Sequence, residues 1–178
     1  MWRPTIAKAK YKQAILGILN SPANNTLLGK VKLFKLLYYI DFDHYQAYKT
    51  SVTGDMYQKQ PYGPVPMHAQ EILSEMVAEG LLTTHLRQLG KYQQHVFDPL
   101  TTLDASAFTA SEMYVLEQVA QKWANHSMSE IVAATHGEAP WRAVDMGEEI
   151  PYALAFYRHQ IIKEGAVDEE LEPSSASA

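Results

Sequence analysis

The sequence predicts an α+β fold, mostly α-helical, with about six helices and one small winged-helix-like β-hairpin after the third. Three observations carry this expectation. Apolar residues return three and four positions apart in successive segments, the spacing of one helix face. A Gly- and Pro-rich stretch over 50–66 interrupts that rhythm. Gly80 is then followed by two arms rich in β-formers around Gly90.

The elements follow in order. Ile6, Ala9, Ile15, Ile18 and Leu19 place an amphipathic helix over 5–19, with Pro4 near its start and Asn20-Ser21-Pro22 and Asn24-Asn25 ending it. A second helix starts near Thr26, a suitable N-cap, and carries Leu33, Leu36, Leu37, Ile40 and Tyr48, the most apolar face in the chain. Thr53-Gly54-Asp55 and Tyr62-Gly63-Pro64-Val65-Pro66 mark turns around a short strand at 56–59. Pro64 suits the first turn of the helix that follows. That third helix, 67–79, shows Ile72, Leu73, Met76 and Val77 on one side and stops at Gly80. The hairpin arms are Leu81 to Leu86 and Tyr92 to Phe97. Ser111 with Glu112 opens a helix through Met113, Leu116, Val119 and Trp123. Ser127 or Ser129 starts another through Ile131, Val132 and His136, ended by Gly137, and a last helix runs over 151–163. Residues 1–163 read as a single domain, and 164–178 as a disordered acidic and Ser/Ala tail with too few apolar residues to fold.

Composition narrows the function classes. A chain of 178 residues with 47% apolar content can bury one sizeable core. With no cysteine, disulfides, thiolate metal sites and cysteine nucleophiles are excluded, which fits a reducing cytoplasm. No apolar stretch reaches the roughly 20 residues of a membrane span, and the N-terminus has no secretory pattern, so a soluble protein is expected. A net charge of −5 argues against a large non-specific nucleic-acid footprint, which needs clustered Lys and Arg.

Candidate chemistry is sparse. Asp41, Asp43 and His44 form the densest group of metal-type ligands, but positions 41, 43 and 44 of a helix point in different directions, and only Asp41 and His44 share a side. His136 lies beside Glu138, as a general base held by a carboxylate would, yet a histidine in a last helical turn also suits the exposed carbonyls there. No phosphate-cradling glycine loop, nucleophile elbow or zinc-protease pattern accompanies it, so no catalytic residue, metal or cofactor is assigned. Tyr38, Tyr39, Tyr45 and Tyr48 read either as an aromatic surface or as core residues with hydroxyls at the edge. Arg87 and Lys91 sit where a DNA-binding wing meets phosphates, but the helix before it has no Lys or Arg and carries Glu71, Glu75 and Glu79.

The run Lys32-Leu33-Phe34-Lys35-Leu36-Leu37-Tyr38-Tyr39-Ile40-Asp41, followed by Tyr62-Gly63-Pro64-Val65 and later by Ser129-Glu130-Ile131 and His136-Gly137-Glu138-Ala139-Pro140-Trp141, resembles the Panacea-domain family of SocA-like antitoxins over residues 5–163. The resemblance implies a non-catalytic, phage-associated antitoxin that pairs with a cognate toxin and inhibits it by forming a complex, in one branch as an adaptor that hands the toxin to a protease. It implies that Lys35, Leu36, Tyr38, Tyr39, Asp41, Tyr62, Gly63, Pro64, His136, Pro140 and Trp141 belong to the family motif, with Leu33, Leu36, Leu37 and Tyr38 in the core and Lys35 and Asp41 paired with neighbours. Arg87, Lys91 and Tyr92 on the hairpin are the expected partner contacts. A winged-helix-like DNA-binding regulator is the alternative, and a homo-oligomer stays open.

Overall fold

The computed structural model describes residues 3–23 and 28–158. The expected Thr26 cap, the end of the last expected helix and the 164–178 tail lie outside the described residues. Over the described residues 51% is helical and 18% is strand, which is the mostly helical α+β class expected.

Helix α1 (Lys8–Leu19) begins later than its apolar pattern because the backbone before it is extended, Ala7 donating its N–H to the Thr53 carbonyl. Helix α2 (Lys30–Tyr48) is the centre of the molecule. Every residue from 32 to 42 is buried, so the helix is enclosed on all sides and its charged residues are enclosed with it. It ends where Lys49 turns left-handed at φ 62°, leaving Tyr48 half exposed and not on the packed face.

The loop after α2 holds more strand than its sequence announces. β1 (Tyr57–Gln60) pairs antiparallel with β2 (Gly63–Pro66) across a turn at Pro61-Tyr62, and β5 (Glu149–Ile150) adds to the other side of β1. Pro64 therefore lies in a strand and not in the first turn of α3 (Ala69–Ala78). Prolines are tolerated there because β2 is an edge strand.

Helix α3 buries Ile72, Leu73 and Met76 and stops at Gly80, which takes the positive φ of 75° that this helix end needs. Its acidic side faces α1: Lys8 meets Glu75 at 2.6 Å and Lys12 meets Glu79 at 2.8 Å. β3 (Leu82–Leu89) and β4 (Tyr92–Pro99) form the expected winged-helix-like hairpin, in register from Leu82↔Pro99 to Leu89↔Tyr92. Helix α4 (Ala110–Trp123) is capped by Thr109, not Ser111, through a reciprocal box with Glu112. Of the two candidate starts for α5 (Met128–His136), Ser127 is the cap. A short α6 (Ala139–Arg142) follows.

The segment after β5 forms a 3-10 turn over Tyr152–Tyr157 and not the start of an α-helix. It closes the core against α2. Tyr152 stacks on Phe42 at 4.6 Å and donates its hydroxyl to the Asp55 carbonyl, and Arg158 reaches Asp43 and Gln46 on α2 and stands 3.7 Å from Glu138. Removing one member of a buried charged group leaves the others unpaired, at a cost of about 3–5 kcal/mol. Arg158→Met is accordingly expected to lower the unfolding free energy by several kcal/mol in urea titrations, and a change within about 0.5 kcal/mol, as at a plain surface site, would contradict this role.

Candidate functional site

The motif blocks that are distant in sequence meet at one corner. The β1–β2 turn packs on α5 and α6, with His136 donating from Nε2 to the Pro61 carbonyl at 2.9 Å and Trp141 donating from Nε1 to the Gln60 carbonyl at 2.9 Å. The Trp141 ring lies 4.1 Å from the His136 ring and 4.1 Å from the Lys59 ammonium, so it has both a stacking and a cation–π neighbour. Pro140 is buried in the first turn of α6. Gly63 sits under the corner with φ 101°, and a β-carbon there would stand 2.5 Å from Thr135 Oγ1 and 2.9 Å from Lys35 Cε. Tyr62, beside exposed Pro61 in the turn, faces outward at 67% exposure.

Beneath the corner, α2 presents its buried polar groups to fixed partners. Lys35 is 1% exposed and donates to the Pro64 carbonyl at 2.7 Å, and burial pulls its ammonium down to about 7. Asp41 is fully buried and accepts from the Val52 and Thr53 amides, the Thr53 hydroxyl and the Tyr57 hydroxyl. Burial still pushes its carboxyl up to about 6, with those bonds pulling the other way. Leu36 packs in the core. Tyr38 and Tyr39 are core tyrosines, and both donate to Glu138, at 3.0 and 2.6 Å. Burial raises the Glu138 carboxyl, against Arg158 and these hydroxyls.

Of the two readings of His136, the general base held by Glu138 finds no pair: the Glu138 carboxylate serves Tyr38, Tyr39 and Arg158, while His136 serves a backbone carbonyl. The Asp41, Asp43 and His44 group is split three ways, with Asp43 on Arg158 and His44 between the Thr50 carbonyl and Ser111 Oγ. Among the described residues no three His, Asp or Glu side chains stand together as a metal cluster would. An open cleft of about 430 Å³ lies over Tyr39, Asp43, Gln46, Lys122, Glu138 and Arg158, but its deep charged walls are already paired with each other. A second buried network, in which Asp55 accepts from Tyr11 and His68, has no signature in the sequence.

The β3–β4 hairpin is the other candidate surface. Its base is buried at Leu82, Val96 and Phe97, while Leu86, Leu89 and Tyr92 are 61%, 40% and 80% exposed. Arg87 lies along Gln94, with Nε and Nη2 at 3.2 and 3.0 Å from Oε1, and Lys91 occupies the turn with Gly90. No helix among the described residues is long and apolar enough to cross a membrane.

The motif side chains thus bind their own backbone and each other within a mostly helical body that also carries the β3–β4 hairpin. The profile of one family, antitoxin SocA-like, Panacea domain, matches residues 33–142, more than half of the chain, and the chain belongs to that family. No curated protein and no solved structure matches it significantly.

Two substitutions test the corner. Gly63→Ala combines backbone strain of about 1–3 kcal/mol with the clash against Thr135, whereas Gly80→Ala, with nothing within 4 Å of the new carbon, carries only the strain. The Gly63 variant is expected to lose clearly more stability in urea, and equal losses would contradict the packing described. The second test is pH. Because Lys35 titrates at about 7 when folded and at the ordinary lysine value of 10.5 when free, the unfolded chain holds a proton that the folded chain sheds between these values. Stability therefore rises with pH over that range. Between pH 7 and 9, below the range where free tyrosines ionise, Lys35→Met is expected to flatten this rise in the urea midpoint, and an unchanged slope would show that Lys35 is not its source.

Proposed function

We propose that this protein acts in the cytoplasm as an antitoxin that neutralises a cognate toxin by direct, stoichiometric contact. The observation that carries the reading is the employment of the motif residues, taken with the family match: Lys35, Asp41, Glu138, His136 and Trp141 are all engaged with groups of their own chain. Their chemistry holds the body rigid, and a rigid body that presents exposed turns suits recognition. The alternative of a DNA-binding regulator draws less support. The helix that would enter the groove carries Glu71, Glu75 and Glu79, all three in ion pairs with α1, in a chain of net charge −5.

Co-expression with the product of the adjacent gene tests the proposal. Growth arrest by that product alone, relief when this chain is present, and a complex that co-purifies are the expected results. Persistent toxicity with no complex would refute it for that partner.

A further inference from the structure

We infer that the tip of the β3–β4 hairpin is the element that meets the partner, with Tyr92 and Leu89 entering an apolar recess whose rim is acidic. This rests on the proposed function and adds the surface and the chemistry of its counterpart.

The register places the contact. Leu89 pairs with Tyr92 and Arg87 with Gln94, and since these pairs are two residues apart along the strands they share one face of the hairpin. That face joins two exposed apolar side chains to a guanidinium, with Lys91 at its end. Tyrosine and arginine beside an apolar anchor are the residues that dominate protein interfaces, because each buries a large area with few torsions to freeze.

Charge names the counterpart. The hairpin carries Arg87 and Lys91 against Asp98 alone, a net positive element on a chain whose net charge is −5. A partner that meets the tip through complementary charge is therefore acidic there, and this steers association. The tip is also pre-organised. A two-residue turn joins the strands, with Gly90 at φ 57°, and Val96 at the base bridges Gly29 at the start of α2, so the central helix holds the hairpin. Little is left to order on binding. Exposed Leu89 and Tyr92 favour a protein over a nucleic-acid backbone as the surface met.

The test uses the full chain and the purified product of the adjacent gene, with affinity and association rate measured by surface plasmon resonance at low and high salt. Tyr92→Ala and Leu89→Ser are expected to weaken binding by about tenfold or more each. Lys91→Glu should weaken it mainly by slowing association, with a loss that shrinks at high salt. Tyr114→Ala, which removes a tyrosine 58% exposed on α4, should bind within about twofold of wild type. If the wild type binds and the hairpin variants bind as well as it does, the hairpin inference is overturned while the proposed function stands. Absence of any complex with the wild type overturns both. Capture of labelled duplex DNA by the wild type, lost in Lys91→Glu, would assign the tip to nucleic acid and overturn the inference as well.

Discussion

Enclosure of charge along α2 is the constraint from which most of this architecture follows. Residues 32–42 are buried without interruption, and they include Lys32, Lys35 and Asp41. An ionised group removed from water is tolerable only where hydrogen-bonding partners are held in place. The surroundings of α2 are therefore fixed at definite points: the carbonyls of Ala124 and His126 meet Lys32, the Pro64 carbonyl meets Lys35, and the 52–57 segment closes on Asp41. Loop, edge strand and the end of α4 are placed by these demands as much as by apolar packing.

The two central charges are treated unequally. Asp41 receives two amides and two hydroxyls, enough to keep a carboxylate ionised at neutral pH in spite of its burial. Lys35 has a carbonyl as its partner, and its ammonium is correspondingly easier to discharge. Tyrosine hydroxyls serve three buried carboxylates in turn: Tyr57 on Asp41, Tyr11 on Asp55, and Tyr38 and Tyr39 on Glu138. A ring can fill apolar volume while its hydroxyl satisfies an acid, which explains why this core is rich in tyrosine.

Local signals were legible in the sequence and long-range partnerships were not. The run from α3 through Gly80 into the hairpin declares itself by a change of period and a left-handed stop, both properties of adjacent residues. Strand β2 was hidden because Pro64 and Pro66 argue against a strand unless its edge position is known, and β5, two residues long, has no periodicity to show. The partners of Glu138 were not foreseen, because Tyr38 and Tyr39 lie about a hundred positions away along the chain. The meeting of the Gln60–Gly63 turn with His136 and Trp141 is likewise a tertiary fact. The motif residues could be named from their order, but their mutual contacts required the fold.

The placement of Arg158 has a consequence for synthesis. It bonds Asp43 across 115 positions of the chain and lies beyond the stretch 33–142 that matches the family. During translation at about 5–20 residues per second, the central helix emerges on the order of ten seconds before the guanidinium that neutralises its end. Over that interval the nascent body holds Asp43 without its cation, so its final tightening is a late event, set by the ribosome's progress and not by the helices that form first.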